Sequence, residues 1–184
     1  ILYFGGYGDL YYESVQLFAN VAGSITNISK HATNDGSDSL FCFAFVAHPG
    51  IHFNAKKEEE IFKNAGAAVK ILNRSMYATA VYTKGSNATL SQGSSCGPQS
   101  ISIGVPSLFT QNSNNIFQTA GLIPVASDFT TLKAWFYKMK STHGKLPDRT
   151  HNNNTKNNGS EILKHLGIPL HPIKRCMEYL FVKS

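Results

Sequence analysis

The stretch "LFCFAFVA", Leu40–Ala47, sets eight apolar residues in a row with no polar alternation. A strand with one wet face alternates, so an unbroken apolar run of strand length reads as a strand buried on both faces, the setting of an interior strand in a parallel sheet. His48-Pro49-Gly50 then breaks the run.

Outward from that strand the pattern repeats. Upstream, Ile1–Phe4 is a short apolar segment that stops at Gly5, Gly6 and Gly8. Leu10, Val15, Leu17, Phe18 and Val21 then recur at helical spacing, with Asp9 placed to cap the helix and Gly23 placed to end it. Downstream, Asn54 is an N-cap residue, Glu58–Glu60 suit a first turn, and Ile61, Phe62 and Ala65 form a buried stripe. Gly66 fits the position after a helix, and "AVKIL" fits a following strand. Strand and helix alternate, which predicts an α/β domain.

Met76–Thr83 and Ile101–Val105 are further strand candidates, with a Gly/Ser-rich loop over Gly85–Pro98 and irregular chain from Pro106 to Pro124. From Ser127 the pattern turns helical. Leu132, Trp135, Phe136 and Met139 share a face, Ser127 or Asp128 caps it, and His143-Gly144 closes it. A polar linker, "DRTHNNNTKNNGS", leads to two short helical patterns, Glu161–Leu166 and Ile173–Val182. The expected architecture is an α/β three-layer sandwich with a mostly parallel sheet over residues 1–126. A basic C-terminal helical segment over 127–184 follows, able to pack on the same domain.

Composition narrows the class. Of 184 residues, 42% are hydrophobic and 15% charged, which excludes collagen-like, coiled-coil and disordered chains. No run of 18 apolar residues is present, so a transmembrane segment is not expected. The chain begins at Ile1 rather than Met, consistent with a processed or trimmed piece. Cys42, Cys96 and Cys176 form no C-x-x-C pair, which suggests free thiols and favours a cytoplasmic over a secreted compartment. The Asn-x-Ser/Thr triplets at Asn27, Asn73, Asn87, Asn153 and Asn158 bear on function only in a secreted protein. Charge is uneven. Residues 1–130 carry 7 Lys/Arg against 8 Asp/Glu, whereas residues 131–184 carry 10 against 3. Such asymmetry suggests a nucleic acid or another polyanion as partner for the C-terminal part.

Three groups of residues bear on chemistry. A glycine corner between a strand and a helix lets a ligand approach the backbone, so Gly5, Gly6, Gly8 and Asp9 are expected to line a ligand site, joined by His48 and His52 beyond the next strand. "GGYGDL" matches neither dinucleotide nor phosphate-loop spacing, and Asp9 opposes a phosphate there; a small polar, hydroxyl-bearing or cationic ligand fits better. Second, Ser95 and Cys96 lie among glycines in "QGSSCGPQS". Either could serve a hydrolase as nucleophile, with His48 as base. The span from His48 to Ser95 is too short for a two-barrel serine protease, and Leu10 stands where an SGNH hydrolase needs its serine. No cofactor or metal set can be read from the residues.

Third, "ILKHLGIPLHPIKRCMEYL" (Ile162–Leu180) resembles helix-turn-helix DNA-binding motifs, with Gly167 at the turn, Ile168 after it and Ile173 on the buried side. The resemblance implies that Lys174 and Arg175 contact phosphates or base edges. Leu163 departs from it, standing where a small residue lets the helices meet, and Pro172 fits only a first turn. The expected function is therefore binding of a small polar ligand or substrate at the strand ends, with hydrolysis as the reaction if there is one. The alternatives are a DNA-binding regulator and a cell-surface binding module without catalysis.

Overall fold

The computed structural model describes residues 1–6, 8–31, 41–48, 55–72, 82–111 and 123–144. The chain divides into two compact units, Ile1–Leu146 and Pro147–Ser184, of which only the first holds described residues. The linker, the helix-turn-helix-like segment and its Lys174 and Arg175 thus lie outside the described residues, as do His52, Asn54 and Met76–Val81.

The first unit runs β1 (Leu2–Phe4), α1 (Tyr11–His31), β2 (Phe43–Val46), α2 (Ala55–Asn64), β3 (Val69–Ile71), β4 (Thr89–Ser91), α3 (Cys96–Ser102), β5 (Ser107–Phe109) and α4 (Phe129–Ser141). The five strands form one all-parallel sheet in the order β3-β2-β1-β4-β5. The α/β expectation holds, and β2 is interior as its apolar run requires, flanked by β1 and β3.

Side chains alternate across each strand, so the sheet presents two apolar faces. Tyr3, Phe43, Phe45, Leu90 and Leu108 join Val15, Phe18, Ala22 and Ile25 of α1, Phe62 of α2, and Leu132 and Phe136 of α4 in one cluster. Leu2, Phe4 and Val46 form a second cluster, against which Ala44, Leu72, Tyr82 and Cys96 pack. Phe18 anchors the first face, with its ring 4.9 Å from Tyr3, 6.0 Å from Phe62 and 6.2 Å from Phe136.

Several local expectations change. Helix α1 starts at Tyr11, two residues beyond Asp9, where the Tyr11 N–H donates to the Gly8 carbonyl at 3.1 Å. Gly23 does not end the helix. It is buried mid-helix, and a Cβ there would lie 2.9 Å from the Ala65 carbonyl carbon, so its role is to let α1 close on the end of α2. Gly66 does follow α2, at φ 65°, and β3 follows it. Tyr82 and Thr83 are helical rather than extended. The Ile101–Val105 strand is also overturned: Ile101 and Ser102 finish α3, and the strand is Ser107–Phe109. The Gly/Ser-rich stretch contains both β4 and the start of α3.

Helix α4 is as read. Asp128 caps it, accepting from the Thr131 N–H at 2.9 Å, and the chain leaves it through His143 at φ 50° and Gly144 at φ 69°. It packs on the α1 face.

Candidate functional site

In a parallel sheet every strand delivers its following loop to the same rim. With the order β3-β2-β1-β4-β5, the chain first moves outward from β1 to β3 and then returns to the other side of β1. Connections leaving β1 and β4 diverge, with α1 packing among the Tyr3 and Phe45 cluster and Cys96 at the start of α3 packing on the Leu2, Phe4 and Val46 cluster. Ligands of open α/β sheets collect at this reversal point.

The rim is built from Gly5 and Gly6 after β1, Ala47 and His48 after β2, Gln92 to Ser95 after β4, and Thr110 and Gln111 after β5. The pairings Phe4↔Val46 and Phe4↔Ser91 put His48 and Gln92 on either side of the glycine corner. The Gly5 N–H donates to the Val46 carbonyl at 2.8 Å, which extends the β1–β2 pairing into the corner. Gly5 and Gly6 are buried, whereas Gly8 is exposed at φ 93° with open space where a Cβ would stand. That backbone region excludes most side chains, so the corner needs glycine there.

Gly6 is needed for a different reason. A Cβ on it would come within 2.6 Å of Gln92 Cβ, so the Gln92 side chain lies directly across the corner. Gln92 Nε2 donates to Gln111 Oε1 at 2.8 Å, and Gln111 Nε2 donates to the Leu10 carbonyl at 2.8 Å. The two amides thereby link the ends of β4 and β5 to the head of α1. Beneath them, Tyr3 Oη donates to Ser14 Oγ at 2.9 Å, and Ser14 Oγ is hydrogen-bonded to Thr110 Oγ1. Burial pushes the Tyr3 phenol up to about 12, with the hydrogen bonds to Ser14 and Thr110 pulling the other way.

Beside Gly5 stands Tyr11, whose buried ring would touch a Cβ there at 3.1 Å. Its hydroxyl donates to Glu58 Oε1 at 2.9 Å. Glu58 is 1% exposed, and its Oε2 has no partner among the described residues. Burial, then the neighbouring Glu58 carboxyl, push the Tyr11 phenol well above its usual range. Lys57 holds its ammonium 3.5 Å over the Tyr12 ring.

The expected nucleophiles sit differently from one another. Ser95 is exposed at the N-cap of α3 and makes no side-chain capping bond. Cys96 packs against the Leu2, Phe4 and Val46 cluster, where burial raises its thiol despite a hydrogen bond with Ser94. A reactive cysteine is held as thiolate, and this setting does the reverse. Asp9 heads α1 on one face of the sheet, and Cys96 heads α3 on the other. The structure thus places Gly5, Gly6 and His48 on one rim with Gln92, Gln111, Tyr11 and Glu58, which sequence reasoning missed. A Gln directly after a strand would have been the signal for Gln92, had β4 been legible.

A separate cavity of about 220 Å³ lies at the opposite ends of the strands, lined among others by Phe41, Cys42, Asn87, Lys140 and His143. Among the described residues no group of three His, Cys, Asp or Glu could hold a metal ion, and no helix is long and apolar enough to cross a membrane. Comparison with protein-family models, curated proteins and solved structures finds no match to this chain.

Proposed function

We propose that the Ile1–Leu146 unit is a ligand-binding α/β domain, layered helix–sheet–helix, whose small polar ligand seats at the rim between β1 and β4. One observation carries this reading: the Gly5–Gly8 corner and the Gln92–Gln111 amides meet where the strand order reverses. Reversal points are where open parallel sheets bind ligands. Binding is favoured over hydrolysis with Cys96 as nucleophile, because burial among apolar side chains raises that thiol rather than favouring the thiolate. His48, at the same rim, remains the group to test for any proton transfer. The test is a thermal-shift screen of small polar compounds on the wild-type chain and on Gly6→Val. A compound seated at the corner raises the wild-type midpoint and leaves that of Gly6→Val unmoved. Equal shifts in both proteins place the ligand elsewhere and overturn the reading.

A further inference from the structure

We propose that one flank of α4 is a binding surface for single-stranded nucleic acid, independent of the rim. Among the described residues the exposed large apolar side chains are Leu10, Ile103, Phe129 and Tyr137, so both aromatics of that group stand on one helix. They are 40% and 41% exposed. Lys133 lies midway between them in the sequence, and positions four apart share a flank of a helix. Its ammonium sits 5.5 Å over the Phe129 ring. Tyr137 packs edge-to-face with Phe41 at 5.8 Å, and Lys140 holds its ammonium 5.3 Å over that same Phe41 ring. Ring and ammonium therefore alternate along the flank. The row ends at the 220 Å³ cavity, which Phe41 and Lys140 line together with Asn87 and His143.

Charge here is one-sided. From Phe129 to Leu146 the sequence carries four lysines and no acid. Asp128, just before, accepts from the Thr131 N–H with one carboxylate oxygen and from the Thr131 hydroxyl with the other. Helix α1, packed beside α4, has a single acid, Glu13, in its first turn. Lys138 stands exposed next to Tyr137. Such a surface attracts an anion, and the rings narrow which anion. A bare polyanion meets the ammoniums and leaves both rings wet. A single strand meets both, because unpaired bases stack on aromatic faces while their phosphates reach the lysines. Phe129 and Tyr137 lie about 12 Å apart along the helix axis, so each receives a different base. A duplex keeps its bases stacked on one another and offers the rings nothing. An anionic membrane fits less well: Leu132, Phe136 and Met139 are buried, and Thr130, Thr131 and Ser141 are exposed, which leaves no broad apolar face to insert.

The test uses fluorescence anisotropy on the full chain with four probes: oligothymidylate about twelve nucleotides long, a DNA duplex of the same length, a heparin fragment, and vesicles of phosphatidylserine and phosphatidylcholine. The expected result is tightest binding to the single strand. Tyr137→Ala is expected to weaken it about tenfold, the loss of roughly one stacked base. If Tyr137→Ala does not fold, Tyr137→Leu serves, since it keeps an apolar contact for Phe41 but has no face on which a base can stack. Lys133→Gln with Lys140→Gln is expected to lower the salt slope by about 1.4, two phosphate contacts at roughly 0.7 each. Wild-type affinity in the folded Tyr137 variant together with a wild-type slope in the lysine variant would move the binding off α4 and overturn the proposal. Duplex or heparin bound as tightly as the single strand would overturn the single-strand class. Binding to the vesicles alone, or to none of the probes, would overturn the proposal outright and leave the rim reading untouched.

Discussion

Gly6 and Gln92 are a matched pair, because the absent side chain of one is the space occupied by the other. Gly6→Ala should lower stability by about 1–3 kcal/mol through overpacking, read from chemical denaturation. Adding Gln92→Gly should restore most of the loss, since the clash begins at the Gln92 Cβ and needs both partners. Additive losses in the double variant would mean the two do not compete for one space. Tyr3 makes a second residue-scale prediction. Its folded-state phenol lies at about 12, against 10.0 when unperturbed, so the folded chain holds the proton that the unfolded chain gives up. A raised value contributes stability in full below pH 10, and that stability drains as pH climbs from 10 toward 12. Tyr11 is shifted the same way. Denaturation midpoints should therefore fall across that window, and Tyr3→Phe should make the fall shallower. An unchanged slope would remove Tyr3 as a cause.

At the scale of elements, legibility followed length and composition. β2 and α4 announced themselves: one by an unbroken apolar run, the other by Leu132, Trp135, Phe136 and Met139 at helical spacing below an Asp cap. β4 and β5 are three residues each and contribute Thr89, Ser91 and Ser107 to the sheet. Three residues show no period, and polar side chains hide the burial that all six positions reach. Ile101–Val105 was misread because β-branched residues suit a strand locally, whereas the Ser100 carbonyl accepts from both Ile103 and Val105 and closes a helical turn there. The same failure hid Gln92, whose meaning depends on β4 ending one residue earlier. Phe136 tests the packing of α4. It lies 5.6 Å from the Phe43 ring and within the cluster beneath α1, so Phe136→Ala should cost about 3–5 kcal/mol. A loss below about 1 kcal/mol in urea denaturation would show that α4 is not part of the core.

For the molecule as a whole, all core residues described fall before position 140, and the first compact unit closes at Leu146. A chain ending there is expected to unfold in one cooperative step with the far-UV signature of mixed helix and strand. A broad, non-cooperative melt would assign part of the stabilising surface to later residues. Strand order carries a further consequence, for synthesis. β1 lies at the middle of the sheet, yet its partner Ser91 is translated 87 residues after Phe4. At ribosomal speed that gap lasts roughly 4–17 s. Throughout it Leu2, Tyr3 and Phe4, all destined for full burial, emerge with one flank unpaired. A nascent chain built this way is a natural client for chaperones that hold apolar segments, and the glycines that follow Phe4 cut that sticky segment short.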